Sequence, residues 1–215
     1  MPNRVVVLSG GVDSTVTLAR ALDEPGLPVI ALSFDYGQTH RVELEAAARV
    51  AETLSVPHEV IDVTGLLTGG ALLGDGDVPL GHYEDETMRS TVVHARNMLF
   101  ASLAVSRAGE GGEVWLGVHG GDHHIYPDCR PSFWDPYREA VRAAYATKIV
   151  TPYIDADKVE IVREGAVLGA PLALTWSCYQ GGARQCGQCG TCVERRWAFE
   201  LAGVDDLTDY EEDPE

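Results

Sequence analysis

A pair of glycines directly behind a strand-length apolar run limits what this chain can fold into more than any other stretch of it: Arg4-Val-Val-Val-Leu8 leads into Ser9-Gly10-Gly11-Val12-Asp13-Ser14-Thr15. The branched run suits a parallel strand covered on both faces, and the glycines allow a sharp turn and a close backbone approach that a Cβ would block. A helical pattern follows from Val12 to Leu22. Its first-turn amides and the positive end of its dipole therefore face the turn, which makes the turn an anion cradle. Ser9, Ser14 and Thr15 add hydroxyl donors, so Leu8, Ser9, Gly10, Gly11, Val12, Asp13, Ser14 and Thr15 are expected to hold the phosphates of a nucleotide.

The spacing is not that of the common nucleoside-triphosphate loop, which has four residues between its glycines and a lysine before the hydroxyl. No lysine precedes Lys148. Ser-Gly-Gly-Val-Asp-Ser instead resembles the pyrophosphate loop of the ATP pyrophosphatases, which cut ATP between its α and β phosphates and pass AMP to a substrate oxygen. The resemblance implies adenylation chemistry.

Beyond the loop, strand candidates at 28–35, 56–63, 113–118 and, more weakly, 148–154 alternate with helical patterns at 41–54, 91–108 and 133–145. That order predicts an α/β fold with a doubly wound, mostly parallel, Rossmann-like sheet. The chain divides on this reading into a nucleotide-binding domain over 1–170, a metal-binding segment over 171–205 packed on it, and an acidic tail over 206–215. Residues 64–87 read as a long loop with at most a short helical turn, of the length that usually carries function. Ligands bind beyond the carboxyl ends of strands in such sheets. Asp35, Tyr36 and Gln38 are thus expected around the adenine and ribose, and the polar run His119 to Arg130 follows the fourth strand at the same edge of the sheet.

Four of the five cysteines fall as Cys178, Cys186, Cys189 and Cys192, with glycines at 181, 182, 187 and 190 between them. Four thiolates complete a tetrahedral ion, so zinc in a structural role fits best, with an iron–sulfur cluster as the rival. Cys129 stands apart. A lone cysteine there is either a packed small side chain or a nucleophile. His119, His123 and His124 are expected to be polar loop residues rather than metal ligands. Lys158, just ahead of a helical run, is the candidate cation for the phosphates and, with Asp13 and Ser14, the expected catalytic set.

Several motifs then converge. Ser9 to Ser14, Phe34-Asp-Tyr-Gly-Gln38, Gly81-His-Tyr83, Arg96-Asn97, Tyr126-Pro-Asp-Cys-Arg130, Thr175-Trp-Ser-Cys178 and the cysteine run with Arg195 together resemble the 7-cyano-7-deazaguanine synthase (QueC) family over about the whole chain. The resemblance implies a fold of the adenine nucleotide alpha hydrolase type and a zinc-containing ligase of queuosine precursor synthesis. It would convert 7-carboxy-7-deazaguanine and ammonia to the nitrile through an adenylated carboxylate and an adenylated amide, with ATP and Mg²⁺ as co-substrate. It further implies a homodimer and places Arg96, Asn97, Asp122, Asp128 and Arg130 in the substrate pocket. Val93-His-Ala95 and Gly117 to Ile125 depart from the family pattern near that pocket. The alternatives are a related ligase using another amine, such as a protein N-terminus, a tRNA sulfurtransferase of the same superfamily, and a non-enzymatic zinc-ribbon module.

Charge narrows the partners. Sixteen basic against 33 acidic residues give a net charge of −17, with Lys148 and Lys158 the only lysines. Such a chain repels nucleic-acid backbones, so a small molecule is the expected partner. The acidic excess around 74–86 and 205–215 reads as solvated loop and tail. No run approaches membrane-spanning length and no secretory pattern is read, so a soluble cytoplasmic protein is expected.

Overall fold

A computed structural model describes residues 1–83 and 86–211. Five strands form one parallel sheet in the order β3-β2-β1-β4-β5: β1 (Arg4–Val7), β2 (Val29–Asp35), β3 (His58–Asp62), β4 (Glu113–Trp115) and β5 (Lys148–Val150). The helices are α1 (Val12–Asp23), α2 (Val42–Thr53), α3 (Arg96–Ala108), α4 (Pro131–Tyr145), α5 (Lys158–Val167) and α6 (Gly190–Ala202). The doubly wound α/β arrangement expected from the alternation is present.

Alternate residues of each strand serve opposite cores, which is why the strands read as continuous apolar runs. Val5, Leu32 and Val114 pack on the side of α3 and α4, with Phe100, Ala104 and Trp134. Val6, Ala31 and Trp115 pack on the other, with Leu18 of α1 and Ala47 and Val50 of α2. A third cluster joins α1, α5 and α6 through Val16, Ile161 and Phe199. The tail is partly docked: fully buried Arg195 holds Asp206 at 3.0 Å and donates to Thr175 Oγ1 at 2.6 Å, tying α6 to the segment before the cysteines. Residues 212–215 of the expected tail, and 84–85 of the acidic loop, lie outside the described residues.

Three elements differ from the sequence reading. The helix expected from residue 91 starts at Arg96, because Ala95 takes a left-handed conformation (φ 59°) after a 3-10 turn over Glu86–Thr91. Its opening amide, Asn97 N, is capped by Asp128 at 3.2 Å from a distant segment, a contact no local pattern carries. The strands expected at 113–118 and 148–154 are cut to three residues each; one further bond, Leu116 N to Val150 O at 3.0 Å, precedes the departure of the chain toward α1. Gly117 makes that approach possible, since a Cβ there would lie 2.9 Å from Asp13 and Ser14 backbone.

Gly10 is packed against backbone with no room for a Cβ. It has φ +90°, and a Cβ on it would lie 2.3 Å from Glu43 O and 2.8 Å from Ala47 N, so the start of α2 rests directly on the loop. Gly10→Ala is expected to lower stability by about 2 kcal/mol or more through backbone strain and overpacking, read as a fall in the urea midpoint.

Candidate active site

A cavity opens between the carboxyl ends of β1 and β4, the point where the strand order reverses. Of the residues expected to hold a nucleotide, Leu8, Ser9, Gly11, Val12, Asp13, Ser14 and Tyr36 line it. Ser14 Oγ accepts from Ser9 N at 3.1 Å and lies 3.0 Å from Ser9 Oγ, which itself accepts from Gly11 N at 3.3 Å. These hydroxyls fix the turn as an arch. No side chain caps α1, and Thr15 N to Gly11 O at 3.1 Å is its first internal bond, so the amides ahead of it keep their donors for an anion.

Gly10, Thr15, Asp35 and Gln38 stand behind the cavity wall instead. Asp35 receives Gly37 N at 3.2 Å and pairs with Arg41, and Thr15 is fully buried under the loop. These residues shape the cradle without lining it.

The catalytic candidates do meet. Lys158, the first residue of α5, is buried and reaches Asp13 Oδ2 at 2.7 Å and Glu194 Oε2 of α6 at 3.3 Å. An Asp157–Glu160 capping box fixes the start of that helix and hence the lysine. Burial disfavours the ammonium, but Asp13, Glu194 and Asp122 outweigh it and its pKa is raised. Burial likewise raises Asp13, yet Lys158 and His119 hold its carboxyl below the ordinary range. For Glu194 burial wins and the pKa is raised. His119 is also buried at the cavity, with Nδ1 accepting from Gly121 N at 3.1 Å and Nε2 3.3 Å from Lys158 Nζ and 3.5 Å from Asp122 Oδ1. His123 and His124 do not line the cavity.

The far wall is aromatic. Phe34 and Phe100 stack at 4.2 Å, and the guanidinium of Arg96 lies 5.9 Å from the Tyr36 ring and 6.0 Å from that of Tyr126. Arg96 donates to Tyr36 Oη at 3.5 Å and has no carboxylate within ion-pair distance among the described residues. Such a cation in a cavity suits an anionic group brought by a ligand. Asp122 accepts from Tyr83 Oη at 2.6 Å and from Cys129 Sγ at 3.6 Å. Burial, reinforced by Asp122 and Asp128, raises the Cys129 thiol and so favours the protonated form that donates to Asp122.

Asn97 and Asp122 share the cavity with Arg96, but two residues expected in the substrate pocket do not. Asp128 is spent on capping α3, and Arg130 is exposed and donates to His123 O at 2.7 Å. The sequence reading also passed over His40, Glu43 and Glu194. The signal was present: Glu43 lies one turn before Ala46 and Ala47, and Glu194 one turn before Ala198, each an acid on the buried stripe of its helix.

Cys178, Cys186, Cys189 and Cys192 bring their sulfurs within 4.8 Å of one another. Tetrahedral coordination with metal–sulfur bonds of about 2.3 Å places sulfurs about 3.8 Å apart, so the set fits one ion and is too compact to surround a multi-iron cluster. Backbone N–H groups of Cys186 and Cys189 reach Cys178 Sγ at 3.3 Å and Cys186 Sγ at 3.2 Å, the usual support for thiolates. The long loop docks here through Gly81 N to Gln188 O at 3.0 Å, while Trp176 N donates to Gly10 O at 2.9 Å. The metal loop is thereby tied to the phosphate loop.

A family model for queuosine biosynthesis protein QueC matches residues 3–203. The chain is 52% identical to a 7-cyano-7-deazaguanine synthase of Brucella anthropi and 51% identical to one of Paracoccus denitrificans, each alignment covering 97% of this chain and 93% of the relative. In fold it is similar to an NMN synthetase of Francisella tularensis, with a TM-score of 0.50 at 18% identity over 95% of this chain and 78% of that one.

Glu43 gives a pH-dependent outcome. Burial raises its carboxyl from 4.5 to about 7, against the Gln38 hydrogen bond and Arg96, which lower it; Tyr36 and His40 are its other titratable neighbours. The folded state thus holds a proton that the unfolded state releases, and this stability is present below pH 4.5 and lost as pH rises through about 7. Glu43→Gln should flatten the fall in urea midpoint between pH 5 and 8, by at most about 3 kcal/mol. A second outcome concerns the tetrad: Cys189→Ser should lower bound metal below one equivalent and reduce stability, measured by elemental analysis and thermal unfolding.

Proposed function

Because the chain belongs to the QueC family of queuosine biosynthesis proteins, we propose that its cavity holds ATP with the phosphates over Ser9 to Ser14 and the substrate carboxylate at Arg96. The protein is an ATP-dependent ligase that converts 7-carboxy-7-deazaguanine and ammonia to 7-cyano-7-deazaguanine, in queuosine precursor biosynthesis. Formation of an amide with another amine and tRNA sulfur transfer are not favoured.

A carboxylate is a poor acyl donor, so its oxygen first attacks the α-phosphorus of ATP and pyrophosphate leaves. Charge develops on that pyrophosphate, where the free amides of α1 and the Lys158 ammonium stand ready to meet it. Ammonia displaces AMP and, losing a proton, leaves an amide; the amide oxygen attacks a second ATP in the same way, and departure of AMP with loss of both N–H protons yields the nitrile. No enzyme nucleophile is required. The chain supplies orientation, through Arg96 at the carboxyl group and the loop at the phosphates, and exclusion of water by the aromatic wall.

Asp13, Asp122 and Glu194 outnumber the cation among them, which suits arriving ammonium and the Mg²⁺ that accompanies ATP. Asp13 Oδ1, buried and without a hydrogen-bond partner among the described residues, is the oxygen that fits a cation. Mg²⁺ neutralises the phosphates when bound. Zinc is the ion for the tetrad, in a structural role that keeps the loop of residues 176–189 against Gly10. The same reading carries a nucleotide-binding unit over 1–170, a metal-binding segment over 171–205 and a tail over 206–215, with a homodimeric, cytoplasmic protein that makes no direct contact with nucleic acid. No helix among the described residues is long and apolar enough to cross a membrane.

One observation carries the mechanism: Lys158 meets Asp13 beside an uncapped helix start, in the same cavity as an Arg96 that lacks a carboxylate partner among the described residues. Purified protein given ATP, Mg²⁺, ammonium and 7-carboxy-7-deazaguanine should form the nitrile, followed by mass spectrometry; absence of both amide and nitrile would overturn it. Lys158→Met should lower kcat by about 100- to 1,000-fold, and Asp13→Ala should abolish pyrophosphate release with the fold intact by circular dichroism.

A further inference from the structure

Glu43 is a buried carboxylate whose partners among the described residues are neutral. Its side chain is only 12% exposed, lines the cavity, and receives Gln38 Nε2 on Oε1 at 2.9 Å. Gln38 is itself immobilised, accepting from Tyr36 N at 2.9 Å and donating to Phe34 O at 3.2 Å, so it presents the carboxylate and nothing else. His40 Nε2 lies 3.5 Å from Oε2, and burial depresses that imidazole to about 3, so it contributes no charge. No lysine or arginine pairs with Glu43 within 4.0 Å among the described residues. Ionising this carboxyl costs stability, which the Gln38 hydrogen bond and the more distant Arg96 offset only in part.

Its position is held as firmly as its hydrogen bonds. The contact between Gly10 and the backbone of Glu43 and Ala47 sets the start of α2 directly on the phosphate loop. Glu43 therefore keeps a constant place relative to the nucleotide cradle on one side and to Tyr36 and Arg96 on the other.

We infer that Glu43 reads the base of the substrate, accepting the adjacent N1–H and 2-amino donors of the 7-deazaguanine ring while Arg96 takes the carboxylate. This rests on the reaction given above. Two donors side by side match the two oxygens of one carboxylate, as a guanidinium does. Adenine does not offer that pattern, because its amino group neighbours an unprotonated ring nitrogen whose lone pair a carboxylate would repel. Glu43 thus belongs to the acid substrate and not to ATP. The stacked Phe34 and Phe100, with Tyr36, supply the flat apolar wall such a ring needs.

The test compares 7-carboxy-7-deazaguanine with its analogue lacking the 2-amino group, using wild type, Glu43→Gln and Glu43→Asp. Wild type should prefer the amino substrate by about 10- to 100-fold in kcat/KM, and Glu43→Gln should reduce that preference to a few-fold, with KM for ATP unchanged. Glu43→Asp, which keeps the charge but withdraws it by one methylene, should fall between the two. Calorimetric binding of both compounds without ATP gives the same comparison independent of turnover, and urea midpoints at pH 7 check that the variants fold. Undiminished discrimination by Glu43→Gln, or a loss confined to KM for ATP, overturns the assignment while leaving the reaction standing. Failure of wild type to make product overturns the reaction, and the binding ratio then still decides Glu43.

Discussion

Everything at the site depends on one buried contact, Lys158 Nζ to Asp13 Oδ2 at 2.7 Å, with Glu194 at 3.3 Å. It joins the phosphate loop of α1, the first turn of α5 and the second turn of α6, three elements remote from one another in sequence. An ion pair removed from water adds little net stability, because desolvation offsets the attraction. Its effect is positional. The loop itself contains no lysine, and the fold brings one to it across the switch point of the sheet.

The metal loop acts on the same spot from the other side. Cys189 caps α6 and Cys192 lies in its first turn, so the tetrad fixes the start of the helix that carries Glu194 to Lys158 and Arg195 to Asp206. Trp176 N on Gly10 O and Gly81 N on Gln188 O tie the loop to the nucleotide arch and to the long segment bearing Tyr83. The four cysteines do not line the cavity, yet through these bonds their loop holds two of its walls in register.

Much of this was legible in the residues. The strand, the glycine turn and helix α1, the alternation that makes a doubly wound sheet, and the cysteine tetrad all follow from local pattern, since each depends on near neighbours in sequence. The pocket was less legible. Asp128 and Arg130 sit in a motif beside the cavity, yet one caps α3 and the other faces outward, because the 3-10 turn over Pro127–Cys129 points only Cys129 inward. Glu43 and Glu194 were less legible because acids on helices are mostly solvated, although their helical phase places them on buried stripes.

The sequence by itself determined that an α/β sheet would present a glycine turn at a helix start and that four cysteines would gather at one site, because glycine conformational freedom, apolar periodicity and cysteine spacing are properties of short stretches. Only the tertiary structure decided which charges meet. Lys158 faces Asp13, Arg96 stands among tyrosines without a carboxylate among the described residues, and Glu43 is held by Gln38 at the cavity wall. These pairings span up to 145 residues. They are set by how helices pack on the sheet, and no local pattern encodes that.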